Sequence, residues 1–147
     1  MTMIESTMSS DLYDDPRKLS AMVARAASLA GEHEVSSALI GMAAEEGDPA
    51  FPDYIAYLQS ALRVEDGIFR MTRERAVVHL ADVDADQALS VIERLSSEFA
   101  DQFPSQDPPR FEMHIYQATP GRDEEVKVRD VLTEIFKPKT FKPETLH

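Results

Sequence analysis

Apolar residues along this chain change their spacing from segment to segment, and the changes divide it into elements. From Pro16, Leu19, Met22, Val23, Ala26, Leu29 and Ala30 recur at intervals of three and four, the period of a helix buried on one side. Pro16 suits a first helical turn, and Gly31 is the expected stop. Residues 35–42, VSSALIGM, form a short apolar run that fits a buried strand. Gly47-Asp48-Pro49 breaks the chain, and the next helix carries Phe51, Tyr54, Ile55, Leu58 and Leu62 on one side. Residues 67–71 (GIFRM) and 76–80 (AVVHL) read as two strands of a hairpin joined by Thr72-Arg73-Glu74-Arg75. Asp84 or Asp86 then caps a long helix whose apolar face is Ala88, Leu89, Ile92, Leu95 and Phe99.

Pro104, Pro108 and Pro109 mark a loop, after which Phe111, Met113 and Ile115 alternate with Glu112, His114 and Tyr116 in strand rhythm. The Thr119-Pro120-Gly121 turn leads into a last helix with Val128, Val131, Leu132 and Ile135. The central order is strand, helix, strand, strand, helix, strand. This predicts an α+β domain with a ferredoxin-like βαββαβ core, two helices on one face of a four-stranded antiparallel sheet, and further helices flanking it at the N- and C-terminal ends. The domain is expected over 15–136, with a flexible segment at 1–14 and an extended tail at 137–147. The tail carries the echo FKPKT and FKPET, too short to be a repeat architecture.

Composition narrows the chemistry. A chain of 147 residues with 43% hydrophobic residues can build one packed core. With no cysteine, disulfides, thiol catalysis and cysteine zinc sites are excluded, and the chain suits a reducing cytoplasm. The first thirty residues show no basic-then-apolar secretion signal, and no apolar run is long enough to span a bilayer. A net charge of −12 repels nucleic-acid phosphates, and the tail lysines, Lys137, Lys139 and Lys142, are too few to overcome it. The four histidines, at 33, 79, 114 and 147, have no metal-ligand spacing, and no Ser/His/Asp elbow or phosphate loop occurs. No cofactor is indicated.

Between residues 47 and 95 the spacing of several pairs agrees at once. Gly47-Asp48 opens the second helix. Arg63-Val64-Glu65-Asp66 follows it, then five residues, then the Thr72–Arg75 hairpin, and the following helix carries Ile92-Glu93-Arg94-Leu95. In this the chain resembles the GGDEF diguanylate cyclases, a family of bacterial signalling enzymes. The resemblance implies the nucleotidyl cyclase core already expected from element order, and it also implies losses. The family's two hairpin glycines let the backbone approach substrate phosphates, because a residue without a side chain leaves room for a ligand. Thr72 and Arg73 stand there instead, with Glu74 at the family's acidic position. The Asp-x-Asp-x-Phe-Lys stretch of the first strand is replaced by Leu39-Ile40-Gly41-Met42-Ala43-Ala44, and the Asn-Asp and Gly-His segment that cradles guanine is missing. One carboxylate cannot hold two magnesium ions, each of which needs several oxygens. The degenerate hairpin Thr72, Arg73, Glu74, Arg75 therefore predicts a domain without cyclase activity, and Asp48 is expected to cap a helix.

Arg63 and Asp66 match the family's inhibitory Arg-x-x-Asp, which binds the product cyclic di-GMP, and Arg94 matches a second arginine reaching the same ligand. Arginine suits the task because its planar fork gives two bonds to phosphate or to the guanine Hoogsteen edge. The resemblance thus implies a cytoplasmic, regulatory cyclic di-GMP receptor using Arg63, Asp66 and Arg94. The other reading is a ligand-free module for protein–protein contact or homodimerisation, with the same Arg and Asp as a surface ion pair.

Overall fold

A computed structural model describes residues 14–104, 107–121 and 127–136. The expectations for 1–13 and for the tail at 137–147 lie outside the described residues. The elements run α1 (Pro16–Glu32), β1 (Ser37–Ala44), α2 (Ala50–Ala61), β2 (Gly67–Arg70), β3 (Arg75–Ala81), α3 (Ala85–Gln102), β4 (Phe111–Ala118) and α4 (Val128–Ile135). The strands form one sheet in the order β2-β3-β1-β4, each neighbouring pair antiparallel. This is the ferredoxin-like arrangement expected from element order.

Local chemistry explains most boundaries. The Asp15 carboxylate accepts from the Arg17 N–H at 2.9 Å and caps α1 ahead of Pro16. Gly31 does not stop that helix. The turn comes at Glu34, whose φ of 57° lets the Val35 N–H reach back to the Leu29 carbonyl at 2.8 Å. β1 accordingly starts two residues later than the apolar run and extends to Ala44. Of the two candidate caps for α3, Asp84 is the one used, in a reciprocal capping box with Gln87. Leu89, expected on the apolar face of α3, is 39% exposed, because the buried stripe runs through Ala88, Ile92, Leu95 and Phe99.

The flanking helices do more than extend the ends. Successive β1 side chains point to opposite faces. Ala38, Ile40 and Met42 join the core under α2 and α3, with Phe51, Tyr54, Leu58, Ile92 and Phe99. Leu39 joins a second core under α1 and α4, with Leu19, Val23, Ala26, Val77, Val131 and Ile135. The sheet is therefore covered by a helical layer on each face. α4 crosses β1 so closely that a Cβ at Gly41 would lie 2.5 Å from the Ile135 carbonyl oxygen.

Because that obstacle is backbone, it cannot rotate away. Gly41→Ala should lower unfolding stability by about 1–3 kcal/mol through overpacking. Urea denaturation checks this, and an unchanged midpoint would show that α4 does not rest on β1.

Candidate functional site

Arg63 and Asp66 are brought together in the loop between α2 and β2. Arg63 Nε and Nη2 each donate to one Asp66 carboxylate oxygen at 2.9 Å, and Nη2 also donates to the Ala81 carbonyl at 2.6 Å. Asp66 in turn accepts from the Ala81 N–H at 2.9 Å and from the Arg63 N–H at 3.2 Å. The carboxylate is almost fully covered, whereas the Arg63 side chain is 48% exposed. Two parallel charge-assisted bonds are the strong geometry for this pair, and hydrogen bonding to Asp66 raises the Arg63 guanidinium above its ordinary value. The pair thus clamps the entry of β2 to the end of β3, and the third guanidinium nitrogen, Nη1, lies 3.4 Å from the Glu65 carboxylate.

Arg94 is elsewhere. It lies on α3, 64% exposed, with Nε 3.8 Å from Glu98, whose other contact is the Tyr57 hydroxyl of α2. It touches neither Arg63 nor Asp66.

On the α1 side of the Asp66 loop is an open groove of about 510 Å³, lined by Lys18, Met22, Arg25, Asp66, Gly67 and His79 among others. Val64, at the tip of the loop, also borders it and is 99% exposed. Lys18 is 3.6 Å from Asp14, while Arg25 makes no ion pair among the described residues. His79 lies on β3 with its Nε2 buried and without a hydrogen-bond partner. Burial, reinforced by the Arg25 charge, pushes its imidazole down to about 4. Sequence reasoning singled out neither Lys18 nor Arg25. Their spacing of seven residues, two helical turns, was the available signal for a shared face. His79 and His114 lie on strands separated by β1, and among the described residues no group of three His, Cys, Asp or Glu is arranged to hold a metal.

The hairpin forms where it was expected, between Met71 and Arg75. Thr72 and Arg73 are exposed, and Arg75 begins β3 and stacks over the Phe136 ring at 5.1 Å. Glu74 is tied to the end of β1: its carbonyl accepts from the Ala44 N–H at 2.8 Å and its carboxylate from the Gly47 N–H at 3.3 Å. Beside it opens a cleft of about 710 Å³ whose charged lining is Glu45, Glu46, Asp48, Asp53, Asp107 and Arg110. Asp48, one residue before the Pro49 N-cap of α2, accepts from the Ala50 N–H at 2.9 Å, and its other oxygen accepts from the Arg110 N–H at 3.2 Å. The donor set does not fit the two magnesium ions of a cyclase. Glu74 and Asp48 are committed to backbone groups, and the strand facing them ends in alanines.

No family model matches the sequence, and no curated protein does. Solved structures do match. The GGDEF domain of FimX from Pseudomonas aeruginosa aligns with a TM-score of 0.61 at 10% identity, over 81% of this chain and 82% of that one. PelD from Pseudomonas aeruginosa PA14 in complex with c-di-GMP gives 0.60 at 17% identity, over 78% of this chain. The GGDEF domain of DgcB from Caulobacter crescentus in complex with c-di-GMP gives 0.53 at 12%, over 79% and 72%. This chain has the GGDEF fold. It spans only 42% of that PelD structure's length. Within the GGDEF fold, the Arg63–Asp66 clamp and the carboxylate-lined cleft lie at opposite ends of the β2–β3 hairpin, one beside Ala81 and the other beside the turn.

Two stability effects follow. Below about pH 6.5 an unfolded chain protonates residue 79 while the folded chain refuses the proton until about pH 4. Stability from His79 is therefore complete above pH 6.5 and falls by about 3 kcal/mol on descending to pH 4. Urea titrations at pH 7.5 and 4.5 should show a smaller acid loss for His79→Leu, and an equal loss would refute the assignment. Asp66→Ala should cost about 1–3 kcal/mol, since it strands the Ala81 N–H and the Arg63 guanidinium. A thermal melt matching the native chain would disprove the clamp.

Proposed function

We propose that this is a regulatory GGDEF-like domain without cyclase activity that binds cyclic di-GMP beside the Arg63–Asp66 loop. The observation that carries the reading is the Arg-x-x-Asp clamp itself. The loop it anchors borders, through Glu65 and Asp66, a groove to which α1 adds Lys18 and Arg25, two cations in a chain of net charge −12. The mixed lining suits the ligand. Lys18 and Arg25 would meet phosphates, while Met22 and exposed Val64 offer apolar surface to a purine face. Arg63, with Nε and Nη2 held by Asp66 and Ala81, would meet a phosphate through Nη1 in place of Glu65. That a PelD structure of the same fold was solved in complex with c-di-GMP supports the assignment.

Loss of catalysis is supported at the opposite end of the hairpin. A triphosphate at the hairpin turn would meet side chains at Thr72 and Arg73 in place of glycines, and the neighbouring cleft presents five carboxylates that repel it unless metal ions intervene. Glu74, the one acid in the family position, is already hydrogen-bonded to Gly47.

Isothermal titration with cyclic di-GMP tests the receptor reading. Three charge-assisted contacts and purine stacking correspond to binding in the micromolar range, roughly −8 kcal/mol. Arg63→Ala and Arg25→Ala should each weaken binding about tenfold or more. Absence of heat with the native protein, or unchanged heat with Arg63→Ala, would overturn it. Incubation with GTP and magnesium should release no pyrophosphate, and steady release would overturn the non-catalytic half.

A further inference from the structure

β2 leaves a gap over β3. Gly67 stands directly opposite His79 in the antiparallel register, on the face that α1 covers, and a glycine puts no side chain over the imidazole ring. Met22 of α1 lies there instead, 3.8 Å from where a Cβ on Gly67 would be. The ring is 1% exposed, its Nε2 has no hydrogen-bond partner among the described residues, and it lines the groove between α1 and the Asp66 loop. The charged groups facing it are few. α1 contributes Lys18 and Arg25 and the loop contributes Glu65 and Asp66, while β1 and β2 place Leu39 and Gly67 beside it, which do not titrate. Both loop carboxylates are engaged with Arg63. Lys18 is 3.6 Å from Asp14, whose carboxylate also accepts from the Arg70 N–H at 2.8 Å, whereas Arg25 makes no ion pair among the described residues. Burial first, and then the Arg25 charge, keep the ring neutral down to about pH 4, against a smaller pull from Asp66.

We infer, on the receptor reading above, that His79 takes up a proton from solvent when cyclic di-GMP enters the groove, so that the ligand is held more tightly in mild acid. An imidazolium carries an N–H on each ring nitrogen and needs an acceptor for both. A phosphodiester oxygen seated between Lys18 and Arg25, reaching past the flexible Met22 side chain, supplies the acceptor that Nε2 lacks. The dianion acts on the ring twice: it offsets the Arg25 charge, and it adds a charge of the sign that favours protonation. An opposite charge within about 4–6 Å favours the charged form of a side chain by roughly tenfold to a thousandfold. That is enough to return His79 toward its ordinary value of 6.5. The phosphodiesters keep both charges throughout mild acid, so the proton goes to the protein. Because the bound value lies above the free one, the gain in affinity is absent well above pH 6.5, grows as pH falls through it and is complete below about pH 4.

Calorimetric titration of the full chain with cyclic di-GMP at pH 7.5 and 5.5 reads this out. With the free ring titrating near 4 and the bound ring near 6.5, affinity should rise about tenfold at the lower pH. Heats measured at pH 5.5 in two buffers of different ionisation enthalpy should show about one proton taken up per site. His79→Leu should bind at pH 7.5 and gain nothing at pH 5.5. The imidazole NMR signal of His79 in the native chain should titrate near 4 when free and nearer 6.5 when saturated with ligand, which decides the matter if His79→Leu fails to fold. Equal affinity at the two pH values without proton uptake overturns the inference and leaves the receptor reading standing, as does a tenfold rise that persists in His79→Leu. Absence of heat at both pH values overturns the two together.

Discussion

β1 is buried on both faces, and most of the architecture follows from that. A strand with apolar side chains above and below cannot sit at a sheet surface open to water, so each face needs its own cover. α2 and α3, the crossover helices of the βαββαβ unit, supply one. α1 and α4, from outside that unit, supply the other, and Gly41 is the notch that lets α4 lie flat against the strand. Without α1 there would be no wall opposite the Asp66 loop, and the groove that gives the clamp its chemical interest would be open solvent.

The clamp shows how one side chain can serve both architecture and chemistry. Asp66 holds a backbone N–H of β3 and orients Arg63, so its lone pairs are mostly occupied, and what it offers a ligand is a fixed guanidinium. This is preorganisation: the entropy of fixing Arg63 is met in folding and need not be met again on binding. At the other end of the hairpin Glu74 has a parallel role, fastening the turn to the end of β1, and the carboxylates around it form a field hostile to phosphates.

The element order, the antiparallel sheet and the hairpin were legible because period and turn residues agree along the chain. The double layer was readable only in part. The run Ala38–Met42, without a polar residue, signals a strand covered on both sides, but nothing in it says which helices do the covering. Gly31 misled because glycine is a common helix terminator, whereas here Glu34 takes the left-handed conformation and the helix runs on. At the site, Arg63 with Asp66 was readable from a spacing of three. Lys18 and Arg25 were not, since what gives them meaning is the packing of α1 across the sheet next to Gly67 and His79. The unpartnered Nε2 of His79 is likewise invisible in a strand whose histidine could have faced water.

Asp14 guards the β2 edge of the sheet at Arg70. Its carboxylate and amide occupy the Arg70 backbone groups that a neighbouring strand would require, and its side chain grips Arg70 as well at 2.9 Å. Burial works to raise that carboxyl, but the Arg70 hydrogen bonds with the Lys18 charge outweigh it and hold it below the usual range, so the lock stays ionised even in mild acid. A strand approaching on the β2 side at Arg70 would have to displace two backbone-group bonds and an ion pair together.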